Sequence, residues 1–123
     1  MGLPKEHRLR SWRDFRAVYQ KGSKHYSSHL ILRALSVSAM EQQSPLLPTS
    51  VGISISTKVS KKAVVRNLIK RRIKAAVKEL LPQIDDGWWV VVVVKSSAIE
   101  CSYGDFLREL KQLFKQANII NGY

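Results

Sequence analysis

The chain has 123 residues and carries 21 lysines and arginines against nine aspartates and glutamates, a formal net charge of +12. That length suits one domain with a single core, residues 1–123, and the charge excess points to nucleic acid or an anionic membrane surface as a partner. No apolar run approaches the roughly 18 residues that span a bilayer, the first residues lack the apolar core of a secretory leader, and the single cysteine, Cys101, excludes an internal disulfide, so a cytoplasmic protein is expected.

Residues 1–8 are expected to be flexible, with an extended Leu-Pro segment before a helix that begins at about Ser11. Ser11 is its N-cap, and Asp14 three residues on approximates a capping box. Trp12, Phe15 and Tyr19 recur at i, i+3 and i+7, an aromatic face surrounded by Arg10, Arg13, Arg16 and Lys21; such a stripe suits core packing, with Trp12 at its edge. Leu30 to Val37 has strand composition, its pleat separating Leu30, Leu32 and Ala34 from Ile31, Arg33 and Leu35. Met40 to Ser50, with Pro45 and Pro48, reads as a loop joining two antiparallel strands. In the second strand Val51, Ile53 and Ile55 face the core, while Gly52, Ser54 and Ser56 face the other way.

The most informative stretch is 58–80. At about 100° per residue, Val65, Leu68, Ile69, Ile73, Ala76, Val77 and Leu80 share one arc, and Asn67, Lys70, Arg71, Lys74 and Lys78 the opposite one. Ser60 is the expected N-cap. Lys61 and Lys62 beside it place positive charge at the positive end of the helix dipole, which an external polyanion would explain. Arg72 points into the apolar arc and must snorkel or find a partner. Pro82 ends the helix, Asp85-Asp86-Gly87 reads as a turn, and Trp88 to Val94 lacks alternation and reads as a strand buried on both faces. Ser102 caps a last helix with Asp105 at N3, and Phe106, Leu107, Leu110, Leu113, Phe114 and Ala117 form its core stripe; residues 118–123 are expected to fray.

No catalytic constellation and no metal-ligand spacing appears. The nine acids are scattered over every element, His7, His25 and His29 read as surface residues, and Cys101 lacks a matched base.

Ala63-Val64-Val65-Arg66-Asn67-Leu68-Ile69-Lys70-Arg71-Arg72-Ile73-Lys74 resembles the signature of the bacterial ribonuclease P protein, the basic subunit of a tRNA-maturing ribonucleoprotein. Val51-Gly52-Ile53-Ser54-Ile55-Ser56-Thr57-Lys58 resembles that family's glycine-serine strand, and Arg8-Leu9, Asp14-Phe15, Val18-Tyr19 and Gly22 its first helix, so the likeness runs from Leu3 to about Phe114. Thr57 stands where the family has lysine, Ser60 where glycine is usual, and Lys74 where the signature ends in arginine, which loses a guanidinium fork. The resemblance implies an α+β domain with a mixed sheet of four strands, at least three of them legible, packed with three helices in the order α-β-β-α-β-α. The residues alone favour a right-handed strand-helix-strand crossover; the resemblance implies a left-handed one, like that of a ribosomal protein domain.

For function, the resemblance implies a ribonuclease P subunit that binds the catalytic RNA and the 5′ leader of precursor tRNA, with magnesium and the chemistry residing in the RNA. No catalytic or metal-binding side chain, no membrane and no obligate protein partner is expected. Arg66, Asn67, Lys70, Arg71 and Lys74, with Lys61 and Lys62, are the candidate contacts to the RNA subunit. Phe15, Tyr19, Ile31, Arg33, Ser54, Ser56 and Lys58 are the candidates for a leader cleft, where small hydroxyls let a nucleotide strand lie close and aromatic faces stack on unpaired bases. The competing readings are a ribosomal or RNA-chaperone protein and a standalone metal-dependent nuclease.

Overall fold

The valine run from Trp88 to Val94 becomes the centre of the fold. The computed structural model describes residues 3–37 and 48–120. Its helices are α1 (Trp12–Lys21), α2 (Ala63–Leu80) and α3 (Tyr103–Gln116), and its strands are β1 (Ser23–Tyr26), β2 (Leu30–Ser36), β3 (Ser50–Ser54) and β4 (Trp88–Val94). The sheet order is β1-β2-β4-β3; β1 with β2 and β2 with β4 run antiparallel, and β3 with β4 runs parallel. The expected order lacks β1, so the chain runs α-β-β-β-α-β-α. The strands flanking the 38–47 segment are antiparallel in direction as expected, but β4 lies between them; most of the expected loop falls outside the described residues.

Alternation assigns the two faces. Val90, Val92 and Val94 of β4, with Leu30, Leu32 and Ala34 of β2, face the larger core, which Ile69, Ile73 and Val77 of α2 and Phe106, Leu110 and Phe114 of α3 complete. On the other face Leu35 and Val91 meet Leu9 and Val18, with Phe15 and Tyr19 packed alongside. At about 1.5–3 kcal/mol for each fully buried large apolar side chain, the α2/α3 layer dominates stability. The α1 layer is thinner and leaves part of the sheet open.

Local signals hold for two helices. The Ser11 hydroxyl accepts from the Arg13 amide, and Ser102 with Asp105 forms a complete capping box. α2 differs: it begins at Ala63 with Lys62 as its N-cap and no side-chain cap, because the Ser60 hydroxyl is spent on the Lys62 amide. Parts of the terminal segments that fall among the described residues make defined contacts. Leu3 is buried, Arg8 bridges Val51, and Asn118 takes a left-handed turn (φ 60°) that sends Ile119 into the core.

Candidate nucleic-acid interface

The sheet beside α1 carries Ile31, Arg33 and Ser54 of the candidate cleft residues, and α1 itself carries Phe15 and Tyr19. Register places Tyr26, Ile31, Val93 and Ser54 in one row across the four strands, and Lys24, Arg33, Val91 and Gly52 in the next. The far end of the Phe15 ring lies directly over Gly52, where a Cβ would come within 2.3 Å of Cζ. Glycine at this position is what admits the ring. Arg33 Nη2 donates to the Tyr19 carbonyl at 2.6 Å, and its guanidinium sits 4.6 Å from the Tyr19 ring centroid. Arg33 Nε is buried without a partner among the described residues, an unmet donor of a kind native structures rarely leave. Ser56 and Lys58 lie past the end of β3, on a turn that the Ser56 hydroxyl holds by accepting from the Lys58 amide. Trp12 does not pack at an edge: it is 65% exposed, with the Arg13 guanidinium 5.7 Å from its ring centroid.

On α2 the buried arc is Ile69, Ile73, Ala76, Val77 and Leu80. Leu68 is corrected to the outer side at 39% exposure, and Val64 is 75% exposed among the cations. Lys61, Lys62, Asn67 and Arg71 are exposed, whereas Lys70 and Lys74 are half-buried. Arg66 folds back to donate to the Ser60 carbonyl at 2.8 Å, which fixes the turn entering the helix. Arg72 finds its partner in the Cys101 carbonyl, 2.9 Å away.

The two candidate sets touch at one place, through Phe15 of the first and Lys70 and Lys74 of the second. A groove of about 370 Å³ is lined by Phe15, Gly52, Lys70 and Lys74 together with Arg8 and Arg10. Neither Arg8 nor Arg10 is among the contacts expected from the sequence, because only the packing of residues 3–10 beside β3 brings them to α2. On the outer side of α2, Val64, Asn67, Lys70, Arg71 and Lys74 line a shallow depression.

A second grouping has no sequence signal at all. His29, Cys101 and Glu109 come together, each offering an atom within 4.8 Å of the others. Glu109 is buried. Burial works to raise its pKa, but hydrogen bonds from Ser27 and His29 outweigh that and hold it below the ordinary value. Burial pushes the Cys101 thiol up, and the neighbouring Glu109 charge adds to this. His29 is thus paired with a carboxylate and is not the free surface residue expected.

A family model described as Ribonuclease P matches residues 3–118. The chain belongs to the ribonuclease P protein family. It is 53% identical to the ribonuclease P protein component of Picosynechococcus sp. and 52% identical to that of Microcystis aeruginosa, each match covering all of both chains. The RNase P protein of Staphylococcus aureus superposes with a TM-score of 0.79 at 24% identity, covering 95% of this chain and all of that one. The RNase P protein of Thermotoga maritima gives 0.75 at 21%, covering 94% and 98%. These two likenesses show the shared α+β fold. Among the described residues no helix is long and apolar enough to cross a membrane.

Proposed function

We propose that this chain is the RNA-holding subunit of the ribonuclease P holoenzyme, with α2 seated on the catalytic RNA and the sheet beside α1 receiving the 5′ leader of precursor tRNA. The observation that carries this reading is the groove in which Phe15 and Gly52 share walls with Lys70 and Lys74. An aromatic ring over a glycine floor suits an unpaired base, and the flanking lysines suit phosphates. Hydrolysis is assigned to the RNA and its magnesium, which can stabilise the attacking and leaving oxygens; the protein's part is to assemble that RNA and hold the leader. Purified, nuclease-free protein is expected to leave precursor tRNA intact in magnesium, and adding the cognate RNA to release the leader. Cleavage by the protein alone would overturn the assignment. RNA copurifying with the chain is expected to be the ribonuclease P RNA; ribosomal or mixed RNA would favour the chaperone reading.

The α2 contact is tested by salt. Changing Lys70 and Arg71 to Ala is expected to weaken assembly with the RNA and to flatten its log-log salt dependence by roughly 0.7 to 0.9 for each lost phosphate contact. Thermal stability is expected to hold, since neither side chain belongs to the buried arc of α2. An unchanged slope in a folded variant would remove this face from the contact.

A further inference from the structure

We propose that His29 Nδ1, Cys101 Sγ and Glu109 Oε2 form a binding site for a divalent metal of the zinc class, separate from the RNA surfaces. None of the three lines the groove beside Phe15. A His29–Glu109 hydrogen bond of 2.5 Å accounts for two members of the group. The thiol is what changes its chemistry, because imidazole, thiolate and carboxylate together are a zinc donor set, and the part-exposed His29 leaves a side from which water could supply a fourth ligand.

The donors are held from behind. The Ser27 hydroxyl at 2.5 Å and the His29 amide at 2.9 Å both donate to Glu109 Oε1, which leaves Oε2 as the ligand oxygen. The His29 carbonyl accepts from the Lys95 amide at 3.0 Å. The Cys101 amide donates to Ala98, its carbonyl accepts from Arg72, and the capping box of α3 fixes the next residue. Outer partners of this kind orient ligands before a metal arrives. Thiolate and carboxylate supply two negative charges that a divalent cation balances, so the loaded site is neutral where it is buried. On binding, Cys101 gives up its thiol proton to solvent, the Nδ1–Oε2 hydrogen bond opens so that the ion takes the place of its proton, and neutral His29 carries its one ring proton on Nε2. The ion would tie the turn before β2 to α3 across 80 residues of chain.

The test uses the full chain, stripped with chelator and dialysed, and Co²⁺ alone as the probe. One equivalent is expected to give thiolate-to-cobalt charge-transfer absorption with the visible bands of a tetrahedral site. Since Cys101 is the only cysteine, that absorption reports this site and requires no variant to fold. Zn²⁺ is expected to bleach it and raise the melting temperature by ligand linkage, while Mg²⁺, which prefers oxygen ligands, does neither. Cys101→Ser is expected to abolish the charge-transfer band, and Ser27→Ala to lower Zn²⁺ affinity by roughly 10- to 100-fold while keeping the spectrum. Cobalt bound without charge-transfer absorption, or no binding at micromolar metal by the folded chain, would overturn the proposal.

Discussion

Replacing Phe15 by Leu is expected to lower holoenzyme affinity for a precursor tRNA with a leader of several nucleotides by about five- to 150-fold, leaving mature tRNA binding unchanged. The range follows from about 1 to 3 kcal/mol for one base stacked on an aromatic ring, at 1.4 kcal/mol per decade. Unpaired leader bases can reach the ring, whereas a closed A-form helix hides its bases from it. The competing account is that Phe15 is core: it is half-buried and packs against the Leu9, Val18, Leu35 and Val91 cluster. Leu keeps most of the apolar volume, so the packing loss is limited to roughly 1.5 kcal/mol where the swap fits. The two accounts separate on selectivity. Equal loss for precursor and mature tRNA, in step with a lowered melting temperature, would return Phe15 to the core.

The parts of this fold that were legible are those with a long period or an unusual composition. β4 could be read because seven consecutive apolar residues, five of them valine, suit a strand covered on both faces, and α2 with α3 on one side and α1 on the other supply that cover. α3 could be read because its stripe and its capping box agree. β1 could not: Ser23–Tyr26 is short and polar, and its only strand signal is its register against β2. Leu68 lies at the margin of a helical arc whose buried part is narrower than its apolar pattern, so periodicity placed it inside while the described residues leave it 39% exposed.

The candidate sites divide on the same line. The basic face of α2 is local in sequence, and charge alone exposed it. The groove needs residues 3–10, α1, β3 and α2 together, and so Arg8, Arg10 and the seat of Phe15 on Gly52 emerged only in three dimensions. Glu109 shows the limit most clearly. On α3 it neighbours Phe106 at i−3 and Leu113 at i+4, so it sits beside the buried stripe and points at a turn 80 residues earlier, a pairing no local pattern encodes.

Replacing Gly22 by Ala is expected to destabilise the fold by up to about 3 kcal/mol, at the upper end of overpacking costs. For a chain of this length that is a fall of about 12 °C, at about 4 °C per kcal/mol. Gly22 ends α1, and its amide donates to the Val18 carbonyl at 2.8 Å. A Cβ there would lie 2.5 Å from that same oxygen and 2.8 Å from the Ala34 carbonyl of β2. Both obstacles are backbone, so neither can swing aside as a flexible side chain would, and relief requires α1 to move off β2. That movement would carry Phe15 and Tyr19 with it, so leader affinity is expected to fall along with stability, and assembly through α2 to change less. Gly104 is the control. Inside α3 a Cβ at that position meets only the Ser102 hydroxyl, at 3.8 Å, and Gly104→Ala is expected to stabilise by about 0.4–1 kcal/mol through the unfolded chain. Opposite signs for the two alanines, read as melting temperatures, would establish the close approach of α1 to β2; a Gly22→Ala chain that melts with the wild type would show that the helix is seated differently.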